Sequence, residues 1–222
     1  MDDSFHKGAF DRIPEDKRSR IIAAATAEFA NKGFDQASVS GIAKKAGVSV
    51  GSLYKYFSSK EEFFLSCVCF GIKTLEEVLG DVLRSEGDLF SKTEKIARLI
   101  QRHSRRNAEL IRLYNEIASE GNSPLAGRLS RDLESVSART YTALIRQGQK
   151  SGEIRRDADP KLFAFFLDNL FMMLQFSYAC EYYQERFAVY AGRGVFRRDE
   201  DIIKNFLKFI KAAFSEVKDK GA

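Results

Sequence analysis

The segment from Ser38 to Lys60 constrains this chain most, because it has the spacing of two short helices joined by a tight turn. Gly47 lies where a left-handed residue can end the first helix without steric cost. Ser49 can cap the second helix, which runs through Leu53 and Phe57. Such a pair forms the helix-turn-helix layout, whose second helix enters the DNA major groove. The first helix has one apolar face at helical spacing, made of Val39, Ile42, Ala43 and Ala46.

The second helix carries small and hydrogen-bonding side chains on its other face. Small residues at its N-terminus let the backbone approach base edges and phosphates, and its free amide groups favour an anion. Hydroxyl and ammonium groups suit contacts to the DNA backbone. The alternative interpretation of the spacing alone is an ordinary helical hairpin with a solvated basic face. The predicted DNA-contacting residues are Ser38, Lys44, Ser49, Val50, Gly51, Ser52, Tyr54, Lys55, Tyr56 and Lys60.

These residues resemble the DNA-binding domain of TetR-family transcriptional regulators over about residues 14–65, without a gap. The departures are Ala37, where the family often has threonine, and Ser40-Gly41, where charged residues are common. The lead-in Phe10, Ile13-Pro14 and Lys17-Arg18 resembles one subset of the family. The matching motifs are Ala24-Ala25, Phe29, Gly33-Phe34, Ser38-Val39, Ile42-Ala43, Ala46-Gly47-Val48-Ser49, Gly51-Ser52-Leu53-Tyr54, Tyr56-Phe57 and Lys60-Glu61.

The sequence predicts an all-α fold for the whole chain, because no segment shows the alternation of apolar and polar residues that is typical of a strand. We predict a flexible N-terminal arm at residues 1–13, with a disordered terminus preferred over DNA contacts from His6, Lys7 and Arg12. A three-helix helix-turn-helix DNA-binding domain is predicted at residues 14–58. A helical effector-binding and dimerisation domain is predicted at residues 59–222.

Several start signals predict helices in the C-terminal domain. Capping boxes at Ser58-x-x-Glu61 and Ser91-x-x-Glu94 predict a long helix from about residue 59 and a shorter one after residue 91. Asp159-Pro160 predicts the start of a strongly apolar helix to Tyr183. A final amphipathic helix is predicted over residues 199–217.

The helix from Pro160 is apolar nearly all round, so we expect one face to meet a partner subunit. In the TetR family the last two long helices form a four-helix dimer interface, so the resemblance implies a homodimer. Core packing is the alternative for most residues of this helix. The expected interface residues are Phe166, Leu170, Met173, Ile203, Phe206 and Ile210.

The resemblance also implies a cavity for a small-molecule effector among the middle helices. Asp168 and Asn169 are informative, because polar groups in so apolar a helix need partners. Simple packing is the alternative for each candidate. The candidate ligand-binding residues are His103, Tyr114, Asn115, Phe165, Asn169, Met172 and Phe176.

The composition further limits the class of protein to which this chain can belong. The chain has 222 residues, of which 44% are hydrophobic and 30% charged, as in globular proteins. No apolar run approaches the ~18–20 residues that span a bilayer, and the N-terminus has no secretory signal. Three cysteines without a disulfide pattern indicate the cytoplasm. Eight basic and two acidic residues between Lys17 and Lys60 give that segment +6, against +5 for the whole chain.

Taken with the resemblance, these features predict a cytoplasmic, sequence-specific transcriptional regulator. We expect a repressor that binds a palindromic operator as a dimer and is released by a small hydrophobic or amphipathic effector. The chain has two histidines and no catalytic or metal-binding motif, so we predict no enzyme, cofactor, metal or membrane partner. The alternative is a lipid or hydrophobic-ligand binding protein with vestigial DNA binding, which the basic cluster argues against.

Overall fold

The computed structural model describes residues 5–118 and 123–215, and the side chains within them apart from residues 72 and 116–133. These ranges hold helices and no strand, which confirms the all-α prediction. A short 3₁₀ helix, Arg193–Arg197, precedes the last helix. The α-helices are α1 (Glu15–Gln36), α2 (Val39–Ala46), α3 (Val50–Tyr56), α4 (Lys60–Arg84), α5 (Leu89–Arg106), α6 (Ala108–Ala118), α7 (Ser123–Ser151), α8 (Pro160–Ala179), α9 (Glu181–Ala191) and α10 (Asp199–Phe214).

The chain forms two compact units. The first comprises Met1–Thr74 and Glu109–Arg131, and the second comprises Leu75–Ala108 and Asp132–Ala222. The first unit therefore contains most of α4 as well as the helix-turn-helix. This grouping differs from the predicted domain boundary between residues 58 and 59, because the N-terminal half of α4 is packed into the core around α1.

Aromatic side chains dominate the core of the first unit. Phe29 of α1 meets Phe64 of α4 edge-on, with ring centroids 5.1 Å apart. Phe57, which follows α3, stacks on Phe63 at 4.0 Å. Gly33 has a φ of 71° and interrupts the helical backbone of α1. These contacts hold α1, α3 and α4 as one packed unit.

Two helix starts differ from the predicted capping boxes. The Glu62 amide donates to Ser59 Oγ at 3.1 Å, and Glu62 Oε2 accepts from the Ser58 amide at 2.8 Å. The box at α4 is therefore one residue later than predicted. At α5 the cap is Asp88, whose carboxylate accepts from the amide of Ser91 at 2.7 Å. Ser91 thus lies inside the first turn, because the carboxylate upstream of it satisfies that turn.

α8 begins as predicted but ends earlier. The Asp159 carboxylate accepts from the amide of Lys161 at 2.7 Å, which confirms the predicted cap. The predicted helix to Tyr183 is wrong at its end. Cys180 is extended, with φ −109° and ψ 128°, so α8 stops at Ala179 and α9 begins at Glu181. Tyr178 lies two residues before Cys180, and its hydroxyl accepts a hydrogen bond from Gln101 Nε2 at 2.8 Å within the second unit.

α8 is both long and apolar, as its length and composition show. By length and composition, α8 would be sufficient to cross a membrane, because it has 20 residues and an 18-residue stretch of it has a mean hydropathy of 1.3. The prediction that no apolar run approaches that length is therefore wrong for this helix. Such evidence is weak by itself, because buried helices of soluble proteins pass the same test. Here Ala164, Leu167 and Phe171 are buried in the core of the second unit.

Candidate nucleic-acid interface

The structure forms the helix-turn-helix with Gly47 and Ser49 in the roles that the sequence predicts, and with Ser38 as a further cap. Ser38 Oγ accepts from the amide of Gly41 at 3.1 Å at the start of α2. Gly47 ends α2 in the left-handed region, with a φ of 67°. Ser49 Oγ then accepts from the amide of Ser52 at 3.1 Å at the start of α3. The turn is short because the unpaired backbone groups at each helix end are satisfied by a neighbouring residue.

α3 has one buried face and one open face. Leu53 is 1% exposed, whereas Val50 is 38% exposed and Tyr54 50% exposed. Lys55 is also exposed. A Cβ atom added at Gly51 would meet no other heavy atom within 4 Å. The face predicted to contact DNA is therefore free of intramolecular contacts at Gly51.

The predicted residues of α2 differ in their surroundings. Lys44 is exposed near the C-terminal end of α2. The Ser38 side chain is half-buried and occupied as the α2 cap. Ser52 on α3 is also half-buried, with its Oγ 2.8 Å from that of Ser49. Lys44 is thus an exposed cation, while these serine hydroxyls are engaged within the motif.

Tyr56 and Lys60, which are predicted to contact DNA, have side chains that are engaged within the first unit. Tyr56 is 7% exposed, and its ring lies against Phe10 with centroids 5.6 Å apart. Lys60 Nζ donates to the backbone carbonyl oxygens of Asp35 at 3.0 Å and Ala37 at 3.2 Å. The structure therefore corrects the expectation that these two side chains are open, because both are used in packing the first unit. Sequence spacing places Tyr56 at the end of α3 and Lys60 shortly after it, but does not reveal these partners.

The residue that sequence reasoning missed is Glu28 of α1. Its side chain is buried, and its oxygens accept from Lys32 Nζ and Lys45 Nζ, each at 2.7 Å. These bonds to Lys32 and Lys45 outweigh burial and lower the pKa of Glu28 to about 2. Lys32 follows Glu28 by four residues, so this ion pair could have been predicted from helical spacing in the sequence. Lys45 lies 17 residues away, so only the fold reveals that its charge is paired.

The model of bacterial regulatory proteins of the tetR family matches residues 21–67, which include α2 and α3. The fatty acid metabolism regulator protein of Bacillus subtilis (strain 168) is 30% identical over 162 residues, covering 66% of this chain and 75% of that protein. The chain belongs to the TetR family. Its homologues are transcriptional regulators and not enzymes, so this TetR-family chain is a DNA-binding regulator.

Other TetR-family relatives support the same assignment. The HTH-type transcriptional repressor DhaR of Mycobacterium sp. (strain GP1) is 29% identical over 169 residues, covering 68% of this chain and 76% of that protein. The regulator FadR from Bacillus subtilis, solved in complex with stearoyl-CoA, has a TM-score of 0.64 at 22% identity, covering 83% of this chain and 96% of that chain. A putative regulator from Saccharomonospora viridis, solved with choline, has a TM-score of 0.70 at 20% identity, covering 89% and 97%. At these identities the structures show a shared fold.

The ligand residues predicted for this TetR-family protein fall in both compact units. Tyr114 and Asn115 are half-buried in the first unit, and burial lowers the pKa of half-buried His103 in the second. On α8, Asn169 Nδ2 donates to the carbonyl oxygen of Phe165 at 2.8 Å, so its amide has one partner within the helix. Phe165 itself is 61% exposed.

The remaining ligand candidates on α8 are packed to different degrees. Phe176 is buried with its ring 5.2 Å from that of Tyr183, and Met172 is half-buried. Burial and the charge of Glu134 raise the pKa of Asp168 to about 7. In the described part of the chain, no group of three or more His, Cys, Asp and Glu side chains is placed to hold a metal.

The predicted interface residues divide into core and surface. Ile203 and Ile210 of α10 are each 1% exposed and belong to the core of the second unit, so assigning them to a dimer interface is wrong. The apolar period of α10 points these residues inward. Phe166 is 52% exposed, whereas Leu170, Met173 and Phe206 are half-buried. Further apolar surface on α8 and α10 is formed by Leu162, Phe165 and Phe209.

Proposed function

We propose that this protein is a cytoplasmic, ligand-responsive repressor that binds a palindromic operator as a homodimer. The observation that carries this proposal is the open face of α3, with Val50, Gly51, Tyr54 and Lys55 exposed opposite buried Leu53. A helix with one face buried in a rigid unit and the other free can enter a DNA major groove. The open backbone at Gly51 then approaches base edges, and Lys55 lies within reach of a phosphate.

The proposed homodimer uses the exposed apolar face of α8 and part of α10. Leu162, Phe165 and Phe166 are each more than half exposed, and Phe209 of α10 is 58% exposed. Aromatic and aliphatic groups gathered on a surface typify interface cores. A two-fold dimer presents two copies of α3 to half-sites about 34 Å apart, or a multiple of that distance. The operator is therefore near-palindromic.

The proposed effector is an amphipathic molecule with a long acyl chain. The fatty acid metabolism regulator of Bacillus subtilis is among the relatives, and FadR of that organism was solved with stearoyl-CoA. The second unit of this chain is rich in phenylalanine and methionine along α8, which suits an apolar chain. To release DNA, the effector must prefer the non-binding state by roughly 5 kcal/mol, enough to move a population from 1:99 to 99:1.

Selection of genomic fragments by purified protein, read by sequencing at fixed salt, tests the DNA-binding proposal. Enrichment of a palindrome with wild-type protein and its loss with Tyr54→Ala is the expected outcome. Salt is fixed because phosphate contacts make affinity steeply salt-dependent. No enrichment by a folded dimer would favour the hydrophobic-ligand carrier, in which DNA binding is vestigial.

Release of the selected operator tests the effector class. Stearoyl-CoA is added to the complex, with free coenzyme A and a short-chain acyl-CoA as controls. Release by the long chain alone supports an acyl effector, because only the apolar tail differs. Equal release by free coenzyme A would point to headgroup binding, and no release by any of the three would reject this class.

A further inference from the structure

Residues 5–13, which the sequence predicts to be a flexible arm, are packed against the helix-turn-helix. Phe10 is 3% exposed, and its ring lies 4.9 Å from that of Phe57. Ser66 Oγ of α4 donates to the carbonyl oxygen of Phe5 at 3.0 Å. The Arg18 guanidinium of α1 donates to the carbonyl oxygen of Asp11 at 3.0 Å. We refer to residues 5–13 as the N-terminal brace, because they join α1, α3 and α4.

The brace ends on the carbonyl groups at the C-terminus of α3. Lys7 Nζ donates to the carbonyl oxygen of Tyr54 at 2.9 Å, and the Lys7 amide donates to that of Tyr56 at 2.8 Å. The last four carbonyl groups of a helix have no partner within it. Of these four, Leu53 accepts from the amide of Phe57 at 2.9 Å. Lys7 therefore satisfies two of the others and places a positive charge at the negative end of the helix dipole.

α3 depends on such external support because it is short. Its seven residues make two turns, the fewest of any α-helix in the described part of the chain. Isolated helices shorter than about 12 residues are marginal in water, so packing and capping must hold α3 in shape. The N-terminal end has Ser49 as its cap, and the C-terminal end has the brace. Both ends of α3 are thus tied to groups outside the helix.

We propose that the brace sets the position of α3 for sequence-specific DNA reading, with Lys7 as its positioning residue. This inference rests on the proposed function, in which α3 enters the major groove. The ammonium group of Lys7 acts on DNA recognition through the Tyr54 carbonyl group, and Tyr54 carries its ring on the open face of α3. Loss of the Lys7 bond frees the last turn of α3 and misplaces Tyr54 and Lys55.

Hydrogen exchange in the free protein tests the brace without DNA. Lys7→Met keeps the backbone amide and most of the side-chain stem but removes the ammonium bond. The matched control is Lys73→Met, the same change at an exposed site on α4 in the same compact unit. Amides of residues 54–57 should exchange about tenfold faster in Lys7→Met than in the control, since a charged hydrogen bond is lost. Equal exchange in the two variants would overturn the brace.

DNA binding then separates positioning from a direct phosphate contact. For Lys7→Met, affinity for the selected operator should fall about tenfold while affinity for unrelated DNA stays the same. The slope of log affinity against log salt should be unchanged. A direct phosphate contact would instead weaken binding to all sequences and reduce the slope by about 0.9.

The two proposals fail in distinguishable ways. If the wild-type protein selects no operator, the proposed function fails, and the exchange experiment still decides whether the brace supports α3. If the wild type selects an operator and Lys7→Met binds it with unchanged specificity, the positioning role fails alone. Phe10→Ala is the second variant, and it should lower operator specificity in the same direction as Lys7→Met.

Discussion

Lys45 of α2 donates a 2.7 Å hydrogen bond to the buried carboxylate of Glu28 on α1. The other Glu28 oxygen accepts from Lys32, one turn further along α1. A buried carboxylate is costly unless it is paired, and here two lysines that are each 49% exposed bring the compensating charge from the surface. This pairing connects the first helix of the helix-turn-helix to the helix that supports it.

The first prediction concerns acid stability. Glu28→Gln should lower the free energy of unfolding at pH 7 by about 2 kcal/mol, allowing for solvent screening at the half-exposed lysines. The pKa of Glu28 is lowered from 4.5 to about 2, so its stabilisation is complete above pH 4.5 and is lost as pH falls towards 2. The difference between wild type and variant should therefore shrink over that range. Urea unfolding at pH 7, 4 and 2.5 measures it; a constant difference would contradict the pairing.

Gly41→Ala should destabilise the first unit. A Cβ atom at this position would lie 2.8 Å from Glu28 Oε1 and 2.8 Å from Ser38 Oγ, so the carboxylate or the cap must move. Alanine favours a helix over glycine by up to about 1 kcal/mol, but displacing packed groups costs typically 1–3 kcal/mol. We expect a net loss of about 1 kcal/mol in thermal or urea unfolding. In Glu28→Ala, which removes the carboxylate, Gly41→Ala should cost less.

Gly51→Ala is the contrasting substitution. No heavy atom lies within 4 Å of the added Cβ, so the folded protein accommodates it and gains up to about 1 kcal/mol of helix stability. If α3 enters the groove at this residue, operator affinity should nevertheless fall about tenfold or more. Thermal unfolding and operator titration measure the two effects. Unchanged operator affinity would place Gly51 away from the DNA.

Substitution of Lys60 distinguishes a structural role within the protein from a contact with a DNA phosphate. Lys60→Met removes the bonds to the Asp35 and Ala37 carbonyl oxygens, so stability should fall by about 1–2 kcal/mol. The salt slope of operator binding should stay the same. Lys55→Met is the matched variant, for which we expect unchanged stability and a slope reduced by about 0.9. A reduced slope in Lys60→Met would restore Lys60 as a phosphate contact.

The proposed dimer interface is tested at Phe166, which is 52% exposed on α8. Phe166→Glu should raise the dimer dissociation constant at least about 100-fold, because it buries a charge in an apolar contact. Sedimentation velocity across a concentration series gives the measurement. Val189→Glu on α9 is the control, since Val189 is 80% exposed and lies outside the proposed interface. Dimerisation that is equally strong in both variants would move the interface away from α8.

Local sequence signals predicted much of the helix-turn-helix correctly, but they gave the wrong start for α5 and the wrong end for α8. Gly47 and Ser49 act within a few residues of themselves, so the end of α2 and the cap of α3 could be predicted directly from the sequence. The start of α5 was missed because both Asp88 and Ser91 can cap a helix, and Asp88 precedes Ser91. The end of α8 was missed because Cys180 and its neighbours are compatible with helix.

The sequence by itself determined the all-α class, the helix-turn-helix and the family, because these depend on period, turn chemistry and residues close together in the chain. Only the tertiary structure decided which polar groups are occupied. Glu28 meets Lys45 across 17 residues, and Lys7 meets Tyr54 across 47. The tertiary structure also buries Ile203 in the core of the second unit and leaves the side chain of Phe166 exposed. The physical reason is that burial and pairing depend on which helices pack together, and helical period alone leaves the neighbour of each face undetermined.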